Sequence, residues 1–109
     1  SFDNHIKFVK TNPYREWFLV YCNKTIRGNF YITDNNYIAV NLLTANSEEY
    51  IKVINFILHE FRPLKEIKSI RNRNFLININ PLNQEFLEAL KHLNFKHIES
   101  SYLCKVGDG

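Results

Sequence analysis

Few side chains in this sequence have the spacing that metal chemistry needs. His59 and Glu60 are adjacent, as in the HExxH zinc motif, but the second histidine of that motif is replaced by Pro63. His92 and His97 lie five residues apart, and neither has a cysteine nearby. The sequence therefore predicts no metal site.

The two cysteines, Cys22 and Cys104, are too few for a disulfide scaffold and lack the CxxC spacing of a zinc site. Free cysteine is among the residue types most often buried, so we interpret both as reduced, packed thiols. The longest apolar run, residues 17–22, is far shorter than the roughly 20 residues that cross a bilayer. With no segment that resembles a secretion signal, we expect a cytoplasmic protein without a membrane partner.

Basic side chains are concentrated in one connecting segment, residues 62–73. Such a segment can contact the phosphates of a cofactor or of nucleic acid, although a solvated surface loop has the same composition. Nucleic acid is the less favoured partner, because the nearby aromatic residue Phe75 fits a strand core better than a base-stacking position. The segment contains Arg62, Lys65, Lys68, Arg71 and Arg73 against a single acid, Glu66.

These side chains need a scaffold, and a chain of 109 residues with 45% hydrophobic content predicts one domain over residues 1–109. Aromatic and β-branched residues predict three strands, at residues 14–22, 25–33 and 37–43. The turn residues between them are few, so the three strands are predicted to pair antiparallel. Residues 3–10 fit either a short helix or a strand.

Two helices and two more strands are predicted in the second half. Residues 47–61 repeat apolar side chains at helical spacing, with Asn46 as N-cap and Glu49 in the capping-box position. Residues 75–80 alternate like a strand, and the helix that follows ends near Asn94, which tolerates a left-handed backbone. Residues 97–106 are predicted as the last strand. The helical crossover from residues 37–43 to residues 75–80 predicts one parallel pair in a mainly antiparallel sheet.

The segment FLININPLNQEFLEALKHLNF, residues 75–95, resembles a region of the GNAT N-acetyltransferases in which a strand ends in N-x-x-N and a helix leads to a Gly-Phe pair. The landmarks here are Asn80, Asn83 and Asn94-Phe95. The segment WFLVYCNKTIRGNFYI also looks like the second and third strands of that family, with Gly28 near the start of the third. The resemblance implies a GNAT-like α/β (α+β) fold, although the strand and helix with which family members begin have no counterpart here.

The same resemblance implies the residues of an acetyl-CoA site. The cofactor would bind between the strands at residues 37–43 and 75–80, near Asn80 and Asn83 and at the start of the first long helix. The expected acid–base residues are Tyr31, Asp34 and Tyr102, none of which has a specific signal. The implied cofactor-binding residues are Leu42, Leu43, Asn46, Ser47, Asn80 and Asn83.

The sequence departs from the family at two places that matter for catalysis. Family members bind the CoA pyrophosphate in a glycine-rich loop, whereas residues 43–47 contain no glycine and are followed by Glu48 and Glu49. Two acids in a first helical turn stabilise the helix and repel an anion. Leu90 stands where many members place the tyrosine that protonates the CoA thiolate.

Three hypotheses about function follow. The first is an acyl-CoA-dependent N-acyltransferase that acts on an amino sugar or another small amine, as the family does. The second is a catalytically inactive GNAT-like module for binding or assembly, consistent with a homo-oligomer. The third is a small nucleic-acid-binding domain that uses residues 62–73.

Overall fold

The computed structural model describes residues 6–12 and 16–98, which form a five-stranded sheet and two helices. The strands follow one another across the sheet in chain order. The elements are β1 (Ile6–Lys10), β2 (Glu16–Cys22), β3 (Thr25–Ile32), β4 (Tyr37–Leu42), α1 (Ser47–Glu60), β5 (Leu76–Ile77) and α2 (Gln84–His92).

Four consecutive antiparallel strands, β1 to β4, form most of the sheet. Asn23 and Lys24 join β2 to β3, and both have positive φ angles, of 53° and 69°. Positive φ at both positions of a two-residue turn matches the right-handed twist of the flanking strands. The predicted turns and antiparallel pairing are confirmed, and the undecided segment at residues 3–10 is a strand from Ile6 to Lys10.

The fifth strand is parallel to β4, as the helical crossover predicted, but it is much shorter than expected. Only Leu76 and Ile77 pair with β4, opposite Tyr37 and Ile38. The prediction of a strand over residues 75–80 is therefore wrong after Ile77. The chain turns there instead, because the Asn80 side chain accepts the N–H of Leu82 at 2.9 Å and begins the approach to α2.

Both helices lie on one face of the sheet. Alternate strand residues point to that face and form the core with the apolar stripe of α1, in which Val53, Ile54 and Ile57 are fully buried. Each such side chain contributes about 1.5 to 3 kcal/mol by leaving water. Four phenylalanines extend the core, with Phe18 stacked on Phe30 at 4.9 Å and Phe8 stacked on Phe56 at 4.0 Å.

The helix ends follow the predicted local chemistry. The Asn46 side chain accepts the Glu49 N–H at 2.9 Å, and the Glu49 carboxylate accepts the Asn46 N–H at 3.1 Å. This reciprocal pair is the capping box that the sequence indicated. At the end of α2, Asn94 has the left-handed φ of 61° that its residue type tolerates.

The opposite sheet face carries the alternate residues, among them Trp17 and Tyr31. Trp17 is 40% exposed. Among the aromatic residues of β2 and β3, Phe18 and Phe30 therefore lie in the core, whereas Trp17 does not. The reason is the period of two, which sends neighbours in a strand to opposite faces.

One buried polar side chain, Asn36, ties the long connection between α1 and β5 to the sheet. It is 1% exposed, and its side-chain amide forms hydrogen bonds with the backbone of Leu64 and Asn72.

The prediction of a last strand over residues 97–106 is wrong at His97 and Ile98, which are not in a strand. The other residues of that prediction lie outside the described part of the chain.

Candidate functional site

The start of α1 is the place where the resemblance puts the CoA pyrophosphate. The first intrahelical bond is donated by Tyr50 to the Asn46 carbonyl, so the N–H groups of Ser47, Glu48 and Glu49 precede the helical ladder. Free N–H groups at this position attract anions. Their partners therefore decide whether a phosphate has a place here.

Carboxylates already accept hydrogen bonds at this helix start. The Ser47 N–H donates to the Glu85 carboxylate of α2 at 3.0 Å, and the Glu49 N–H is taken by the Asn46 side chain. Glu49 itself accepts from Arg27 on β3 at 2.9 Å, and both of these side chains are partly buried. Two of the three N–H groups are thus bonded within the protein, and the Glu85 carboxylate lies where the resemblance places a phosphate.

The loop before the helix has no phosphate-binding geometry either. Leu42 packs against the core and Leu43 is 63% exposed, while the N–H of Leu43 donates to the Arg27 carbonyl at 2.7 Å. Thr44 has a positive φ of 47°. A side chain with a Cβ at this turn limits how closely an anion can approach the backbone, which is the reason that glycine serves in such loops.

Asn80 and Asn83 shape the start of α2. The Asn83 side chain caps the helix by accepting the Phe86 N–H at 3.1 Å, and its amide donates to the buried Tyr50 hydroxyl at 3.1 Å. The Asn80 side chain accepts from Leu82, and its carbonyl accepts from Asn83. Both asparagines thus stabilise the turn from β5 into α2, and their side chains are engaged in hydrogen bonds within the protein.

The edge of β4 beyond β5 is the one feature of this region that is open. In the register with β3, Tyr37 and Leu43 bond across to β3, so alternate residues such as Val40 and Leu42 direct their backbone groups to the other side. On that side β5 ends at Ile77, opposite Ile38. Among the described residues, the last part of β4 therefore has no strand partner on its β5 side.

The residues implied for acetyl-CoA thus fall into two sets. At the edge of β4, the backbone beyond Ile38 has no strand partner on the β5 side among the described residues, and this is where the resemblance places the pantetheine arm. The α1 start does not fit the pyrophosphate, because Glu85 holds the Ser47 N–H and Glu49 adds a second negative charge. A bound pyrophosphate would have to displace Glu85 and overcome that repulsion.

Two of the three predicted acid–base residues, Tyr31 and Asp34, line one cleft of about 720 Å³. The cleft lies where β3 ends and β4 begins, and β4 then runs about 17 Å in five steps of about 3.3 Å before it reaches Leu42. Asp34 is therefore remote from the open edge of β4. Tyr102, the third candidate, lies outside the described residues.

The cleft combines aromatic faces with acids. Trp17 and Tyr31 form a tilted ring pair with centroids 5.1 Å apart, and Glu16 and Asp34 supply carboxylates. Glu16 forms an exposed ion pair with Lys10, in which Lys10 Nζ lies 3.4 Å from Glu16 Oε1. Arg62 also lines the cleft, but its guanidinium donates to carbonyls at the end of α1, including that of Leu58 at 3.0 Å.

A second depression, of about 790 Å³, runs along β1 and the turn from β2 to β3. Its charged side chains are Lys7 and Lys24, and no acid is among its described lining residues.

The described residues bring no three His, Cys, Asp or Glu side chains together in a way that could hold a metal ion. Neither described helix has the length and apolar character to cross a bilayer. Cys22 is half-buried, and Cys104 lies outside the described part of the chain.

Sequence reasoning missed Glu85 and the cleft around Trp17. In the sequence, Glu85 looks like an ordinary acid in the first turn of a helix. Nothing in the sequence indicates that it contacts Ser47, which lies 38 residues away. Trp17 was predictable only from the strand period, because the next residue, Phe18, packs against the core. Comparisons of this chain with models of protein families, with characterised proteins and with solved structures find no match.

Proposed function

We propose that this protein is a GNAT-like module that binds a small amine and does not catalyse acyl transfer. One observation carries the proposal: the Glu85 carboxylate accepts the Ser47 N–H at 3.0 Å, at the helix start where family enzymes hold the CoA pyrophosphate. A charge that belongs to the fold competes with the cofactor at this position. Acyl-CoA binding therefore loses its main electrostatic anchor.

The neighbouring residues support the same function. Arg27 of β3 is paired with Glu49 at this helix start, so its charge is already used within the protein. Leu90 packs against the core in place of the tyrosine that the family uses as proton donor. Asn83 is used as a helix cap and as a donor to Tyr50. Each of these residues stabilises the fold, which is what a module without catalysis retains.

The cleft supports a small amine or amino sugar as the ligand. The exposed face of Trp17 attracts an ammonium group, and the carboxylates of Glu16 and Asp34 complement its charge. The volume of about 720 Å³ is within the usual range for a small-molecule site. The ligand would bind at the end of the sheet that is remote from the open edge of β4.

A titration with acetyl-CoA tests the loss of catalysis. The wild-type protein is expected to give no binding heat at millimolar acetyl-CoA, and Glu85→Gln is expected to gain weak affinity because the competing charge is removed. Glu88→Gln, one turn further along α2, is the matched control and should behave like the wild type. Micromolar affinity of the wild-type protein would show that the module is not closed to the cofactor.

The sole tryptophan, Trp17, reports on the cleft. Glucosamine should change its fluorescence, whereas N-acetylglucosamine, which lacks the ammonium group, should have little effect. Asp34→Asn should weaken the response to glucosamine, and Asn35→Asp, in the same turn, should not. An equal response to both sugars would remove the amine as ligand and leave the conclusion about acyl-CoA untouched.

An acyl-CoA-dependent N-acyltransferase is the second candidate, and the divergence of β4 from β5 favours it. The part of β4 between Val40 and Leu42, which has no strand partner on its β5 side among the described residues, is the feature with which such an enzyme would hold the acyl arm. Acetylation of glucosamine by the purified protein, lost on a change at the β4 edge and not on Leu82→Ser, would establish this candidate in place of the first.

A further inference from the structure

Residues 64–73 form a projecting hairpin, here called the basic hairpin. Ile67 and Arg71 pair next to its tip, and the N–H of Ile70 donates to the Ile67 carbonyl at 2.9 Å to close the turn. Every residue from Leu64 to Ile70 is exposed. The segment is thus an ordered turn that stands out from the protein.

Several hydrogen bonds fix the basic hairpin to the sheet. Asn36, buried at its base, bonds the backbone of Leu64 and Asn72. The Arg71 guanidinium donates to the Lys65 carbonyl at 2.6 Å and to the Asp34 carbonyl at 3.1 Å. A segment with so little burial is usually free to move, so these bonds give it a defined shape before any partner arrives.

The basic hairpin holds the whole net charge of the chain. It contains four of the fourteen basic residues and one of the eleven acids, which gives +3, and the other residues balance at ten of each sign. Arg71 is used within the protein. Lys65, Lys68 and Arg73 extend from exposed positions and are available to a partner.

Apolar side chains accompany these cations. Ile67 is 42% exposed and Ile70 is 66% exposed, on the two sides of the tight turn, and Leu64 at the base is 48% exposed. Single exposed apolar residues are common, but three within seven positions on a cationic projection are not explained by chance packing. The charged phosphate backbone of a nucleic acid makes no favourable contact with the apolar side chain of isoleucine. The hairpin also has no aromatic residue on which a base would stack.

We propose that the basic hairpin docks on an anionic lipid surface. Ile67 and Ile70 enter the boundary between headgroups and acyl chains, while Lys65, Lys68 and Arg73 contact the lipid phosphates. A bilayer surface supplies both an apolar interior and negative charge. A convex turn can insert into such a surface directly, whereas a protein partner would need a groove to receive it. No helix spans the bilayer in this arrangement.

Vesicle sedimentation tests the proposal on the full chain. The protein should pellet with vesicles that contain phosphatidylglycerol and stay in solution with phosphatidylcholine alone. Changing both Lys65 and Lys68 to glutamine should lower the partition coefficient about thirtyfold, from roughly a fivefold factor for each lysine. Changing both Ile67 and Ile70 to serine should lower it about tenfold or more.

Matched controls are Lys24→Gln and Leu82→Ser, which alter an exposed lysine and an exposed leucine elsewhere, and both should bind like the wild type. In a Trp17→Phe background, Ile70→Trp should show a blue-shifted emission with anionic vesicles if the tip inserts. Circular dichroism confirms that each variant is folded. Binding to RNA or to an acidic protein that is insensitive to the isoleucine changes, or no pelleting with anionic vesicles at low salt, would overturn the proposal.

Discussion

Asn36 and Leu64 are joined by two hydrogen bonds, although they lie 28 residues apart in the chain. The Leu64 N–H donates to Asn36 Oδ1 at 2.7 Å, and Asn36 Nδ2 donates to the Leu64 carbonyl at 2.9 Å. The side-chain amide thereby imitates the backbone of a neighbouring strand. Because Asn36 follows the turn from β3 to β4, it connects that turn to the segment after α1.

We expect Asn36→Ala to lower the free energy of unfolding by about 2 to 4 kcal/mol. The change leaves backbone groups of Leu64 and Asn72 without partners, and alanine tolerates the φ of 67° poorly. Urea unfolding measures the loss. Asn36→Gly accepts the backbone angle and should lose about 1 kcal/mol less.

Asn35→Ala is the matched control for Asn36, because Asn35 lies in the same turn and its side chain is exposed. Its unfolding free energy should stay within about 0.5 kcal/mol of the wild-type value. A loss at position 35 as large as that at position 36 would mean that the turn, and not the buried amide, is what stabilises the connection.

Gly28→Ala should be more damaging than its small size suggests. Gly28 has a φ of 152°, and an added Cβ would overlap the Asn41 carbonyl of β4 and lie 2.9 Å from the Leu42 Cα. Relief requires β3 and β4 to separate, so we expect a loss of about 3 kcal/mol or more.

Thermal unfolding of Gly28→Ala and Asn29→Ala checks this expectation. Asn29 lies next to Gly28 and loses only an exposed amide bond to Asn41, so its variant should lose at most about 1 kcal/mol. A stable Gly28→Ala protein would mean that the two strands are less close than the contact indicates.

Asn83 and Tyr50 provide a test of whether Asn83 is structural. Asn83→Ala removes a helix cap and should cost about 1 kcal/mol, and the buried Tyr50 hydroxyl loses its donor at the same time. In a double-mutant cycle with Tyr50→Phe, the two changes should couple by about 0.5 to 1 kcal/mol. Gln84→Ala, at the neighbouring exposed position, is the control, and additive effects of Asn83→Ala and Tyr50→Phe would contradict the hydrogen bond.

The sequence was sufficient for the parts of the fold that local chemistry decides. The capping box of Asn46 and Glu49 spans three residues, and the left-handed Asn94 is a single position, so both were readable. The antiparallel pairing of β2, β3 and β4 followed from the short turns between them. The parallel placement of β5 followed from the intervening helix.

The parts that failed depend on distant contacts. The length of β5 was overestimated because alternation continues to Asn80, whereas pairing ends at Ile77 when the chain turns towards α2. The bond from Ser47 to Glu85 joins residues whose types suggest ordinary helix starts. No periodicity in a single sequence encodes such pairs, and they are the contacts that distinguish an open anion site from a closed one.

Lys24→Gly should stabilise the protein by about 0.5 to 1 kcal/mol. Lys24 has a φ of 69° in the two-residue turn after Asn23, and a side chain in that conformation costs about 1 to 2 kcal/mol, which exceeds the entropic cost of glycine. Asn-Gly is also the pair that this turn favours most. Urea unfolding should show a higher midpoint for Lys24→Gly and no gain for Lys24→Ala, which removes the charge but keeps the Cβ. An equal gain in both variants would attribute the effect to the lysine charge, and the strained backbone would then play no part in it.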